Sequence, residues 1–182
     1  MLRDDLCELP YIALPAGYLI RTFRKGEQQA WERIIQQSFG SETSFAETMM
    51  ADRCYLPQRV HFVCCGGQAV GTASAWVVPG WGARYGFLHY VGVTPRHQGK
   101  GLGFQVSLAA LRSMRAENKT AAVLTTDDFR LAAIGTYLRL GFRPLLVHEN
   151  QRDRWRAVLA ELQRPELMQA FAKYLEGSVF TK

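Results

Sequence analysis

Phe87-Leu88-His89-Tyr90-Val91-Gly92-Val93-Thr94-Pro95-Arg96-His97-Gln98-Gly99-Lys100-Gly101-Leu102-Gly103 carries the strongest structural signal of the chain. Its first seven residues form an apolar run of strand character. Three glycines at alternate positions follow, and a helical pattern begins at once. The order is therefore strand, glycine-rich turn, helix. Such a turn presents backbone N–H groups at a helix N-terminus, where the macrodipole also favours negative charge. Gly99, Gly101 and Gly103 lack the Cβ atoms that would keep a bulky phosphate from the backbone. A phosphorylated ligand is the expectation.

Spacing excludes two common phosphate loops. A dinucleotide fingerprint needs a third glycine where Phe104 stands. A Walker loop needs glycine where Thr94 stands and Ser or Thr where Gly101 stands. Neither NAD nor ATP is supported. The remaining reading is Gln98-Gly99-Lys100-Gly101-Leu102-Gly103 as an Arg/Gln-x-x-Gly-x-Gly/Ala loop, which resembles the signature of the GNAT acetyltransferase superfamily. A second segment, Asp127-Asp128-Phe129-Arg130-Leu131-Ala132-Ala133-Ile134-Gly135-Thr136-Tyr137-Leu138-Arg139-Leu140-Gly141-Phe142, resembles the helix in which that family carries Ala-Ile-x-x-Tyr before Gly-Phe. Ala133, Ile134, Tyr137 and Leu138 share one face at helical spacing. Gly141 suits a left-handed helix stop.

The resemblance covers residues 17–148. It implies an α/β (α+β) GNAT fold: a mixed, mostly antiparallel, twisted sheet splayed between its fourth strand (87–93) and fifth (121–125). It also implies acetyl-coenzyme A as acyl donor, lying in that split. Val91, Gly92 and Val93 would meet the acetyl and pantetheine groups, and Gln98, Gly99, Lys100, Gly101, Leu102, Gly103 and Phe104 the pyrophosphate. Tyr137 is the implied acid toward the leaving thiolate. Arg130 stands where many members carry Asn, so its expected cofactor contact departs from the pattern.

The motif does not fix a general base. His89 alternates with Val91 and Val93, which places all three on one face if the strand is regular. Glu47, on a short helix over 45–51, is a second candidate because that helix borders the acceptor groove in the family. Each also has an ordinary structural reading, as a satisfied or solvated side chain. Asp127 and Asp128 suit a helix cap. The 45–51 helix and the Trp81 loop are expected to shape the acceptor pocket.

The 182 residues suit one domain, with 48% hydrophobic content for a core. We expect a single domain over 1–182, a core over 17–148 and a helical extension over 150–182. No apolar run approaches a membrane span and the N-terminus lacks a signal-peptide pattern, so a cytoplasmic setting is expected. The net charge of +6 is scattered, densest at Arg152, Arg154 and Arg156. This is read as a solvated or partner-facing helix rather than a nucleic-acid surface. Cys7, Cys54, Cys64 and Cys65 include no C-x-x-C pair, so no metal site is expected.

Further elements are expected as a strand at 17–23, a helix at 27–39 ended by Gly40, and a hairpin through Gly66-Gly67. Ser44 is the expected cap of the short helix, with Glu47 as its capping-box partner. A helix at 103–118, a strand at 121–125, a last strand at 142–148 and helices at 150–163 and 167–175 complete the chain. The tail offers three uses: covering the sheet, closing the substrate groove, or packing on a second subunit as a homodimer. Its run from His148-Glu149-Asn150 into Arg154-Trp155 loosely resembles the mycothiol-synthase-like branch, which does not name a substrate. The leading expectation is acetyl transfer to the amine of a small molecule or peptide, by direct attack on the thioester. The alternatives are a non-catalytic acyl-coenzyme A module, another acyl donor, or an oxygen or sulfur acceptor.

Overall fold

A computed structural model describes residues 1–180. Six strands hydrogen-bond in the order β1-β6-β5-β4-β3-β2: β1 Leu2–Arg3, β2 Tyr18–Thr22, β3 Val60–Cys65, β4 Gln68–Trp76, β5 Tyr85–Val93 and β6 Ala121–Val123. Five helices accompany them: α1 Gln28–Phe39, α2 Leu102–Ala116, α3 Leu131–Arg139, α4 Gln151–Glu161 and α5 Pro165–Leu175. The pairings β2–β3, β3–β4 and β4–β5 are antiparallel. The expected mixed, mostly antiparallel α/β architecture is present. The chain divides into two compact units, Asp5–Ala122 and a smaller one of Met1–Asp4 with 123–182.

The larger unit is built from local signals. The Gly66-Gly67 turn joins β3 to β4 with φ of 55° and 81°, the two positive values a type I′ hairpin needs. Helix α1 buries Trp31, Ile34 and Ile35, and stops at Gly40 in the left-handed region. With Phe23, Phe45, Met49, Phe62 and Trp76 these residues form one core on the α1 face of the sheet. Residues Ala46–Met50 form a single π-helical turn rather than an α-helix. Ser44 Oγ accepts the Glu47 N–H at 3.3 Å, one half of the expected capping box.

Helix α2 buries Leu108, Leu111 and Met114 together with Leu102, Val106 and Ser107. Its Ser113 Oγ meets His61 Nε2 at 2.9 Å. Burial holds the His61 imidazole well below its usual range, at about 4. The folded value lies below the unfolded one, so the unfolded state binds the extra proton. Stability is therefore expected intact above pH 6.5 and to fall as pH drops toward 4, by about 3 kcal/mol for this group. Denaturant titrations at pH 7 and pH 5 check this. His61→Gln should flatten that slope, and an unchanged slope would count against it.

The smaller unit departs from expectation in two places. Residues 142–148 form no strand: Arg143 alone makes a bridge, exchanging both backbone bonds with Leu2 at 3.0 and 2.9 Å. Pro144 follows with no N–H to continue a ladder. The pairing partner, β1, is a strand that the sequence pattern did not announce. Helices α4 and α5 bury Leu159 and Leu175 with Leu146, packed by Trp155, Met168 and Phe171. Pro165 opens α5 at its first turn, where a missing N–H costs nothing. Among the described residues no helix is long and apolar enough to cross a membrane.

Candidate active site

Strand β5 runs into the glycine loop, and a bulge divides it. Ser74 pairs with His89 and Thr72 with Gly92, so Tyr90 and Val91 together face only Ala73. Tyr90 takes φ 46°, an uncommon value outside glycine. Its ring is held there by Trp31 at 5.0 Å and Phe39 at 6.3 Å between centroids. The bulge breaks the expected alternation. His89 lies beside Trp76, in the α1-face core, whereas the Val93 side chain approaches Gly103 of α2. His89 and Val93 therefore do not share a face, which corrects the regular-strand expectation.

Burial lowers the His89 pKa to about 4, against an opposing pull from Asp52. The imidazole is neutral at working pH but a weak base there. Glu47 is exposed on the π-turn, with its N–H on Ser44. Gly92 answers a packing demand: a Cβ there would come within 2.8 Å of Ser38 Oγ on α1. That hydroxyl is buried and has no hydrogen-bond partner among the described residues.

After Val93 the chain makes a 3₁₀ turn over Pro95–His97 and enters the loop. Gln98 folds back so that its Nε2 donates to the Val93 carbonyl at 2.9 Å. Gly99 and Gly101 sit at φ 76° and 73°, conformations that cost a side chain about 1–2 kcal/mol. Beyond the adjoining residues, no atom of the described residues lies within 4 Å of where a Cβ would stand at either position. Gly103 is helical, and a Cβ there would make only an ordinary 3.8 Å contact with Val93. Leu102 is buried under the first turn of α2, while its neighbour Phe104 is half-buried.

Tyr18 and His97 escaped the sequence reading. Lys100 Nζ donates to Tyr18 Oη at 3.0 Å, and that oxygen meets His97 Nδ1 at 2.8 Å. They join β2 to the loop across 79 residues or more, a tertiary link with no local signature.

In the smaller unit, Tyr137 is buried on α3 with Phe142 edge-on at 6.1 Å. The helix ends in a Schellman turn: Phe142 N–H to Tyr137 O at 2.9 Å and Gly141 N–H to Leu138 O at 3.0 Å. Burial raises the Tyr137 phenol to about 12, with Arg130 pulling the other way. Asp127 and Asp128 do not cap α3. Asp127 takes Arg130 Nε at 2.9 Å and Asp128 takes Arg154 Nε at 2.7 Å. Arg152 and Arg156 pair with Glu149 and Asp153, so the basic cluster of α4 is neutralised within its own unit.

An antiparallel sheet with a bulged strand, leading through a left-handed glycine pair into a helix, is the frame of a GNAT-fold protein. The model of the acetyltransferase (GNAT) family matches residues 21–142, and the chain belongs to that family. Mycothiol acetyltransferase of Streptomyces bingchenggensis (strain BCW-1) is 32% identical over 143 residues, covering 74% of this chain and 46% of that protein. The chain spans about half the length of the curated relatives it matches. Among solved structures, a GCN5-related N-acetyltransferase from Sphaerobacter thermophilus matches with TM-score 0.61 at 20% identity, covering 78% of this chain and 46% of that one. An aminoglycoside N-acetyltransferase in complex with CoA matches with TM-score 0.58 at 19% identity, covering 72% and 93%. Among the described residues no cluster has a metal-ligand set.

Proposed function

We propose that the chain transfers an acetyl group from acetyl-coenzyme A to the amine of a small molecule or peptide, by direct attack on the thioester. The observation that carries this is the left-handed pair Gly99 and Gly101, with open space at both Cβ positions, at the start of the 15-residue helix α2. The open space at these Cβ positions leaves room for a pyrophosphate to reach the backbone at a helix N-terminus. Gly103 fits the same use, because neither its conformation nor its protein neighbours require glycine.

In this reading the N–H groups of 99–104 hold the pyrophosphate, the Gln98 N–H being committed to the Pro95 carbonyl at 3.2 Å, and the backbone of Val91 and Val93 takes the pantetheine arm and polarises the acetyl carbonyl. Arg130 is drawn to Asp127, with Nε 2.9 Å from Oδ2, and in this reading its guanidinium meets cofactor phosphate from that position. The relative named for mycothiol favours a small-molecule acceptor over a protein. The solved neighbour in complex with CoA supports the donor.

The test has two readouts. Calorimetry with acetyl-coenzyme A is expected to show one site, and an amine panel is expected to release coenzyme A thiol in an enzyme-dependent way. No binding would overturn the reading outright. Binding without release across the panel would replace it with a non-catalytic acyl-coenzyme A module.

A further inference from the structure

Asp52 sits just past the π-turn, exposed, with both carboxylate oxygens held. Oδ2 accepts the indole N–H of Trp76 at 3.0 Å and Oδ1 accepts the Cys54 N–H at 2.7 Å. Trp76 is only 3% exposed, so the indole is a fixed donor rather than a mobile one. These bonds keep the carboxyl below its usual range, hence ionised. Each oxygen retains acceptor capacity for a further donor. Among the described residues Asp52 makes no ion pair, although the neighbouring Arg53 contributes its field. The nearby Arg59 is committed elsewhere, to Glu117 at 2.6 Å and the Cys54 carbonyl at 2.6 Å.

The surroundings of this anion are aromatic. Tyr55 lies 6.4 Å from the Trp76 ring and His89 lies 5.9 Å from it on the other strand. His89 in turn contacts Phe87 at 5.5 Å and Tyr90 at 4.2 Å. A rigid, exposed carboxylate beside the half-buried Tyr55 and His89 rings is chemistry that suits an organic cation, chiefly through charge. Its place matters as much. His89 stands immediately before the β5 bulge and two residues before Val91, where the acyl end of the donor is assigned.

We propose that Asp52, fixed by Trp76 and flanked by Tyr55 and His89, is the anionic anchor of the acceptor site and recognises a positively charged group of an acceptor that also carries an apolar ring or chain. Calling this ligand the acceptor rests on the acetyl-transfer reading above. The anchor itself is a binding feature and involves no proton or bond transfer.

The probe pair is benzylammonium and benzyl alcohol, matched in ring and size and different in charge. Binding to the whole chain is read from tryptophan fluorescence, with no turnover needed. Benzylammonium is expected to bind about tenfold or more tighter than benzyl alcohol. Asp52→Asn should erase that difference and leave the alcohol unchanged. Equal affinity of the two probes for the unaltered protein would overturn the proposal even if the variant folds poorly. So would a preference for benzylammonium that survives in a folded Asp52→Asn. Thiol release separates the two readings. Asp52-dependent binding without acetyl transfer to any amine leaves the anchor and removes the enzyme. Transfer without Asp52-dependent discrimination does the reverse.

Discussion

Gly101→Glu is expected to abolish acetyl-coenzyme A binding, with a loss of about 100-fold or more by calorimetry. Two effects add. Gly101 is the N-cap of α2 at φ 73°, so a glutamate there carries about 1–2 kcal/mol of backbone strain. Its carboxylate would also stand beside the assigned pyrophosphate. Like charges about 4 Å apart repel by about 1 kcal/mol in bulk water and by about 4 kcal/mol near a protein surface. The space at the Cβ position is open, so the fold itself is expected to survive. Gly101→Asn separates the two effects, because asparagine tolerates the left-handed region and carries no charge. It should bind with a much smaller loss. Raising salt should recover part of the affinity of the glutamate variant and little of the asparagine one. Retained binding in Gly101→Glu would remove the phosphate loop from this segment.

That prediction was reachable from sequence because the loop is written locally. Its glycines are needed for left-handed backbone at Gly99 and Gly101, and its helix is periodic. The β3–β4 hairpin and α1 were legible for the same reason, each closed by a glycine at a positive φ. What was not legible depends on partners far along the chain. The run Phe87–Val93 reads as a regular strand, and only the packing of Trp31 and Phe39 against Tyr90 turns it into a bulge. One extra residue there moved His89 off the face assigned to Val93. Strand β1 is two residues long and pairs with β6 and with Arg143, 141 positions from Leu2, so no window contains its signal. Asp52 sits in a turn with no motif, and Trp76, which fixes it, is 24 residues away.

Tyr137→Phe is expected to lower the turnover for a good acceptor amine by about 100-fold while leaving acetyl-coenzyme A affinity within about twofold. The ring stays in its pocket against Phe142, so only the hydroxyl is lost. The phenol is raised to about 12, so it is protonated throughout the working range and available as a donor. That same value limits what it does. A leaving thiolate has a conjugate acid near 8.5, so full proton transfer from a phenol at about 12 is uphill by about 5 kcal/mol. The chemistry favours a hydrogen bond that strengthens as negative charge develops on sulfur, and the final proton comes from the ammonium formed when the amine has attacked. Removing a donor of that kind costs about 10²–10³ in turnover. The pH profile gives an independent check. A hydroxyl that never ionises below pH 10 adds no falling limb on the alkaline side, so the two proteins should show parallel profiles up to that pH. Unchanged turnover in Tyr137→Phe would exclude the donor role. An alkaline limb between pH 8 and 10 that the variant lacks would show instead that the tyrosine ionises in the working range.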